Sequence, residues 1–308
     1  MRHPLLQTLL GGLVEHFIED ETVNFIFGST GTLVSDITGR AFAWIFFMAA
    51  INIFYQTVPS LVQTYCKYKY PLAPTSNVSH KLIDEMMQKS YRAFPLYVCV
   101  PLCTDFFVVK GWSSSCETVK DCGGLVHAFV GCVVYFFAVE FLVYGVHYSL
   151  LHKSRIGKRI MQHTQHHVYK YPDQLNAFSG YAFAAQDGFS QGAALAACTL
   201  FIRVPISFVH AMEIITAFWT LYIHTDISPI PWPFMGCDYH LIHHRYNWYN
   251  FGFMTLLCDE LFHTVKHPKQ DASEYAIGKK QITERERHKS KVLTDLILRR
   301  VPVSVDNF

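Results

Sequence analysis

Two boxes of the form H-x-x-H-H restrict this chain more than any other feature. They are His163-Thr-Gln-His166-His167 and His240-Leu-Ile-His243-His244. An earlier pair, His147 and His152, brings the imidazoles to eight. Positions i, i+3 and i+4 fall on one face of a helix, so each box is expected to aim three imidazoles at one point. Neutral imidazole is the commonest metal ligand and suits iron, zinc, copper and nickel. Eight such ligands are too many for one ion and suit two. A lone H-x-x-H is more often a core or surface feature than a site; two full boxes beside apolar stretches are harder to dismiss.

The surroundings of the boxes are apolar. Of 308 residues, 51% are hydrophobic and 16% charged, against about 25% charged in an ordinary soluble domain. A net charge of +2 invites no nucleic-acid partner. The nine cysteines are an odd number lying mostly in apolar runs, which is not a secreted disulfide framework. No cleavable signal peptide is read, since the apolar run after Met1-Arg-His-Pro is short and ends in Glu15.

A bilayer span needs about 20 residues. Residues 41–62, 93–109 and 125–146 are expected to be spans. Residues 189–202 and 206–223, meeting at Arg203-Val-Pro205, are expected to form a hairpin through or deep into the bilayer. Residues 4–40 read as an interfacial helix, or equally a surface helix of a soluble cap, with a loop at 28–32, and 282–300 as an amphipathic, solvated surface helix in a basic tail. Asp105 falls near the far end of the second span and is expected to be interfacial; His210, inside a span, is expected to be structural. Glu140, Tyr144 and His147 are spaced by four and three and share a face. The fold class is therefore all-α: a polytopic membrane helical bundle with a cytosolic histidine-box di-metal cap. Its expected organisation is an N-terminal interfacial segment (1–40), two spans with loops (41–124), the di-metal domain (125–268) and a cytosolic basic tail (269–308).

Lys and Arg gather in 64–92, 147–180 and the tail, while 1–40 and 110–124 hold few. The positive-inside rule places the rich segments, and all the boxes, in the cytosol. The sequon Asn77-Val-Ser79 then stays unmodified, and Cys116 and Cys122 lie in the oxidising lumen, where they are free to pair.

All-nitrogen coordination at a bilayer edge suits redox chemistry on a lipid. Magnesium sites on nucleotides favour carboxylates, and a zinc hydrolase needs three ligands and a water. Iron can activate oxygen, which breaking an unactivated C–H bond demands. With no dinucleotide, flavin or haem-attachment motif in the chain, electrons must come from a separate carrier. A histidine-rich metal transporter is the rival from another class. It expects ionisable groups along a path through the spans, and only Asp105, Glu140, His127, His210 and Glu213 lie in apolar stretches.

Residues 139–268 carry a fuller pattern: Val139-Glu140-Phe with Tyr144 and His147, Gln162 through Tyr169, Ala182-Phe183, Asp187-Gly188, and Trp219-Thr-Leu-Tyr-Ile-His224. It closes with Trp232-Pro-Phe-Met-Gly236, Tyr239 through His244, Asn250, Gly252 and Asp259. This pattern resembles the membrane di-iron fatty acid hydroxylase superfamily and, within it, the sterol C-5 desaturases. The resemblance implies His147, His152, His163, His166, His167, His240, His243 and His244 as catalytic iron ligands, with His224 a ninth. Glu140, Tyr144, Trp219, Tyr239 and Asp259 would stand behind the ligands or line the substrate pocket, which would lie between the third span and the hairpin. It implies two iron ions, which zinc can replace in a purified sample, with O2 and electrons from NAD(P)H through cytochrome b5 and its reductase. The substrate would be a sterol with a C-7 double bond, and the site a multi-pass endoplasmic reticulum membrane protein with cytosolic boxes. A hydroxylase acting on a fatty acyl, sphingoid or sterol methyl group is the alternative. Two departures stand out. Sterol members usually space the first pair by four, whereas His147 and His152 are five apart, about 140° round an α-helix, so the helix must end or distort between them. They also commonly have a histidine after Ala182-Phe183, where this chain has Ala184 and Ala185.

Overall fold

The computed structural model describes residues 49, 53–54, 57–69, 78–97, 99–170, 174–225, 227 and 230–269. The chain falls into two units: Met1–Val265, which holds every element named below, and Lys266–Phe308, of which 266–269 are described. Among the described residues the structure is helical, without strands. The expected helices at 4–40 and 282–300 and the sequon residue Asn77 lie outside them. Of the expected first span, 49, 53–54 and 57–62 are described and helical, and the helix runs on to 69.

Helix α1 (His80–Tyr97) begins well before the expected second span. Its apolar residues Leu82, Ile83, Met86 and Ala93 recur at helical spacing and bury against the body of the protein, while Lys81, Lys89 and Arg92 made the stretch read as a polar connection. Helix α2 (Cys99–Val109) follows. Asp105 on α2 is buried within the protein. Its Oδ1 lies 3.6 Å from His210 Nε2, and the same imidazole is 2.9 Å from Glu213 Oε2 through Nδ1. Thr104 Oγ1 donates to Glu213 Oε1 at 2.8 Å. His210 is thus part of a buried polar link between helices, where a low dielectric strengthens each bond.

Helix α3 (Leu125–Gly145) runs unbroken into a π-helical segment (Val146–Lys153). Helix α4 (Arg155–Met161) follows Ser154, whose Oγ accepts from Gly157 N at 2.9 Å and caps the new helix. Helices α5 (Ala185–Cys198) and α6 (Ile206–Ile223) form the expected hairpin. The short α7 (Cys237–Tyr246) and α8 (Leu257–Leu261) complete the set.

The main core is where α3, α5 and α6 meet: Tyr135, Val139 and Val143 pack on Ala194, Leu195, Val209 and Met212. Tyr135 places its hydroxyl on Leu195 O at 2.9 Å, so the buried phenol is satisfied. Gly131 admits the hairpin connection; a Cβ there would meet Arg203 O at 2.1 Å. Among the described residues two helices are long and apolar enough to cross a membrane, Leu125–Lys153 and Ile206–Ile223. On α3 the outward side chains are themselves apolar, including Leu125, Val126, Phe129, Val130, Phe137 and Phe141. Cys116 and Cys122 form a disulfide in the loop before α3.

Candidate metal centre

The spacing of His147 and His152 is resolved by the π-helical segment. Its hydrogen bonds run from i to i+5, as in Ser154 N to Ser149 O at 2.8 Å. Residues five apart then stack, and the two rings stand 4.9 Å apart, centre to centre. The helix does distort, as the spacing demands, and the distortion restores the shared face.

The second box does not sit on an α-helix. Gln162 ends α4 in the left-handed region (φ 56°), and His163–Gln165 form a 3-10 turn. The third box lies on α7, which Asn247 ends at φ 61°; asparagine is among the few residues that tolerate this conformation. The expectation that each box aims at one point is corrected. His147, His152, His163, His167 and His243 form one buried group, and His166, His224, His240 and His244 another. Within each group the candidate ligand atoms all lie within 4.8 Å of one another. Each box therefore gives its i and i+4 imidazoles to one group and its i+3 imidazole to the other. At about 100° per residue, i+3 and i+4 diverge by about 100°, too far to serve one ion from a rigid turn.

The ring nitrogens show what the groups are built for. Nε2 of His163 is 3.1 Å from that of His147 and 2.8 Å from that of His167. In the other group, His224 Nε2 lies 3.2 Å from that of His166 and 3.1 Å from that of His240; the His240–His244 separation is 3.1 Å. Imidazole nitrogens about 2.0–2.1 Å from a shared ion stand about this far apart. The His147–His163 pair is not a hydrogen bond, because both Nδ1 atoms already donate, to Phe251 O and to Asp187 Oδ2. Nδ1 donates to Phe251 O from His147, to Tyr249 O from His243, to Tyr169 O from His244 and to Thr220 O from His224, at 2.7–3.0 Å. A carbonyl only accepts, so each of these Nε2 atoms carries a bare lone pair. Nε2 of His152 and His243 is buried with no protein partner. Burial, reinforced by neighbouring imidazoles, holds His166, His167, His240 and His244 well below the usual histidine range. Burial likewise takes His224 down to about 4 and His243 to about 3. These six imidazoles are neutral at pH 7. The donor set fits two transition-metal ions bound through nitrogen.

Asp187 is a member of this site that the sequence reading quoted but did not select. It is fully buried, and its Oδ2 accepts from His163 Nδ1 at 2.8 Å. Such a carboxylate fixes the imidazole's tautomer and raises its basicity. Its only signal was an acid followed by glycine at the head of an apolar helix. The anchoring carbonyls had no signal at all, being backbone.

The five residues expected behind the ligands or along the pocket fare differently. Asp259 accepts from Phe251 N, Gly252 N and Thr264 Oγ1 at 2.6–2.7 Å, which fixes the turn whose Phe251 carbonyl anchors His147. Burial raises its carboxyl to about 6 against these bonds. Gly252 makes room: a Cβ there would meet Thr255 O at 2.0 Å and Asp259 Oδ2 at 2.8 Å. Glu140 touches no imidazole; it accepts from Met254 N, Thr255 N and Thr255 Oγ1 and ties α3 to the same loop. Tyr144 meets Thr264 Oγ1 at 3.0 Å and stacks on Tyr148 and Phe262. Trp219 Nε1 donates to Phe253 O, and Tyr239 O accepts from Asn250 Nδ2. None of these three lines the cavity. Ala184 stands at the N-terminus of α5 where the resemblance places a histidine, and the four-imidazole group forms without one.

A cavity of about 80 Å³, partly open to the outside, lies under both groups between α3, α5 and α6. Its walls include Val139, Val143, Leu195, Ile223 and Phe253, and its roof His147, His166 and His240.

Residues 132–264 match the family model described as Fatty acid hydroxylase. A Nicotiana tabacum protein named Delta(7)-sterol-C5(6)-desaturase is 29% identical over 193 residues, 63% of this chain and 70% of that protein. A putative Delta(7)-sterol-C5(6)-desaturase 2 of Arabidopsis thaliana is 27% identical over 86% of each chain. A Mus musculus lathosterol oxidase is 26% identical over 74% of this chain and 72% of its own length. No solved structure matches the chain.

Proposed function

We propose, from the match of residues 132–264 to the Fatty acid hydroxylase family model, that this chain is a membrane di-iron, oxygen-dependent oxidoreductase that desaturates a Δ7-sterol between C-5 and C-6. The observation that carries this reading is two adjacent all-imidazole groups forming the roof of an apolar cavity, in a chain whose relatives are named for that reaction. His147, His152, His163, His167 and His243 would hold one iron and His166, His224, His240 and His244 the other. Two iron ions there would supply oxygen activation strong enough to break an unactivated C–H bond.

The chain's own contribution is placement. The Phe251, Tyr249, Tyr169 and Thr220 carbonyls and the Asp187 carboxylate hold the Nδ1 protons and turn Nε2 inward. The apolar walls exclude water, and a rigid ring system between α3 and α6 presents one C–H edge to the roof. Small misplacements of that edge are costly.

The organisation extends to the membrane. Residues 125–268 would form the catalytic domain, in the endoplasmic reticulum membrane. The disulfide and the imidazoles lie toward opposite ends of a 29-residue helix, as an oxidising lumen and a reducing cytosol require. Cytosolic imidazoles are open to electrons from NAD(P)H through cytochrome b5 and its reductase.

The test is expression in a yeast strain lacking its own sterol C-5 desaturase, followed by sterol analysis. Conjugated 5,7-diene sterols should return and should vanish with His147→Ala or His240→Ala. Persistence of the 7-ene sterol with new 2-hydroxy fatty acids or hydroxylated sphingoid bases would replace this reading by the hydroxylase one.

A further inference from the structure

The π-helical segment that pairs His147 with His152 also pairs the next residue of each. Tyr148 and Lys153 are again five apart, so the winding stacks them on the neighbouring, outward face. Lys153 Nζ stands 5.3 Å from the centre of the Tyr148 ring and 4.7 Å from that of Trp248. Lys153 and Trp248 are exposed and Tyr148 is partly exposed. Behind them the rings continue inward. Tyr148 meets Phe251 edge to face at 5.0 Å. Phe251 is fully buried and lies 5.7 Å from His147, 5.1 Å from His152 and 5.3 Å from His243, centre to centre. One surface ring and one buried ring therefore connect the outside to the five-histidine group.

The face around this entry is cationic. Helix α4 packs back on the π-helical segment, where Gly157 leaves no room for a Cβ against Leu150 O, and it carries Arg155, Lys158 and Arg159, all exposed. Residues 141–172 contain no aspartate or glutamate, and neither do 239–258 around Trp248. Tyr169, whose carbonyl anchors His244, is likewise covered by a lysine, with Lys89 Nζ 4.8 Å from the ring. There, however, α1 carries exposed Asp84 and Glu85 in the turn before Lys89, so that face is mixed in charge. A uniformly cationic face attracts an acidic partner and raises its encounter rate.

We propose that Lys153, Tyr148 and Trp248 form the docking face for an acidic one-electron carrier protein, and that Tyr148 and Phe251 are the path of its electron to the five-histidine group. This rests on reading the two groups as iron sites fed by a separate carrier, and not on the identity of the lipid. The electron leaves the carrier, which is oxidised by one, and converts one ferric ion of that group to the ferrous state; no proton moves and no covalent bond forms or breaks. The two rings are not oxidised in turn. They fill the gap with close-packed π systems, through which tunnelling falls off less steeply than through open space.

The experiment uses the full chain in lipid nanodiscs, with the soluble haem domain of cytochrome b5 as the carrier. Zinc-loaded protein, which accepts no electron, isolates docking. Binding should weaken at least about tenfold in the Lys153→Glu/Lys158→Glu variant at low salt. The difference should fade in roughly 1 M salt, where the screening length is about 3 Å. On the unaltered protein, carbodiimide coupling should join carrier carboxylates to Lys153 or Lys158. Failure of the unaltered protein to bind the carrier, or coupling confined to Lys89 or Lys110, would overturn the docking face without any variant. Iron-loaded protein then reads the path. With the carrier bound at saturation, Tyr148→Leu should slow single-electron reduction severalfold and Tyr148→Phe should restore it, because the ring and not the hydroxyl is used. Iron per chain and reduction by dithionite should be unchanged in both. Equal rates in Tyr148→Leu and the unaltered protein, or a slowing shared by dithionite, would reduce Tyr148 and Trp248 to an aromatic belt at the bilayer surface. Docking and reduction that persist without any 5,7-diene sterol leave the entry standing and remove the sterol reading; diene formation with coupling only at Lys89 removes the entry alone.

Discussion

Asp187 shows how much a single side chain can carry behind a ligand. Its two oxygens serve different partners, His163 Nδ1 and Gln191 Nε2, so it joins an imidazole of the five-histidine group to the cavity wall. Loss of such a partner typically costs about 10–100-fold in metal affinity. Asp187→Asn keeps one acceptor and should weaken iron retention about tenfold, and Asp187→Ala should approach a hundredfold, read as iron per chain after dialysis against a chelator. The effect should fall on one of the two ions, and retention of both would remove Asp187 from the site. At this scale the imidazoles that gather into the two groups were legible and their supports were not. All nine imidazoles were read from the boxes and the Ile223-His224 match, because histidine spacing is periodic and rare. Asp187 is a lone acid with no spacing relation to the boxes. The anchoring carbonyls belong to Phe251, Tyr249, Tyr169 and Thr220, whose side chains have nothing to do with that duty. Glu140 and Tyr144 had the right face but the wrong partners: they fasten α3 to the 254–264 loop, and only the folded loop reveals this.

The π-helical segment is the element that makes an unusual spacing work. The five-residue interval announced a distortion, but not its kind, since an ended helix would satisfy the same sequence. Deleting Ser149, which is exposed, leaves a four-residue interval that ordinary α winding accommodates within about 40°. Iron per chain should then stay at two. Inserting one alanine after Ser149 makes the interval six, about 120° off the shared face, and iron should fall toward one. Equal iron in both variants would show that the winding does not set the pairing. The end of α7 is a second such device. Asn247 must hold a left-handed conformation so that Tyr249 O can return to His243 Nδ1. Asn247→Gly should be nearly neutral. Asn247→Val should lose about 1–2 kcal/mol, the usual penalty of a Cβ in that region, measured by thermal unfolding in detergent.

The whole molecule is arranged along α3. A helix of 29 residues is roughly 43 Å long at about 1.5 Å per residue, more than the roughly 30 Å of a bilayer core. On the proposed orientation one end projects, the π-helical end, which carries His147 and His152. Only 28% of its most apolar window is buried. The outward Phe129, Phe137 and Phe141 on α3, with Ile215 and Phe218 on α6, would form an unusually large apolar surface in water. Apolar length was legible in the sequence for these two helices. The amphipathic start of α1 was not, because Lys81, Lys89 and Arg92 masked a buried stripe that only tertiary packing selects. On the proposed orientation the Cys116–Cys122 loop faces the lumen and the imidazoles the cytosol. Trp112→Asn creates a sequon in that loop at a position that is exposed, followed by Ser113 and Ser114. In native microsomes this variant should gain one endoglycosidase-sensitive glycan, while the natural Asn77-Val-Ser79 sequon stays bare. A glycan on Asn77 with none at residue 112 would invert the chain and put the imidazoles in the lumen, out of reach of a cytosolic electron donor. Activity in the sterol test combined with that inverted result would require a luminal reductant instead.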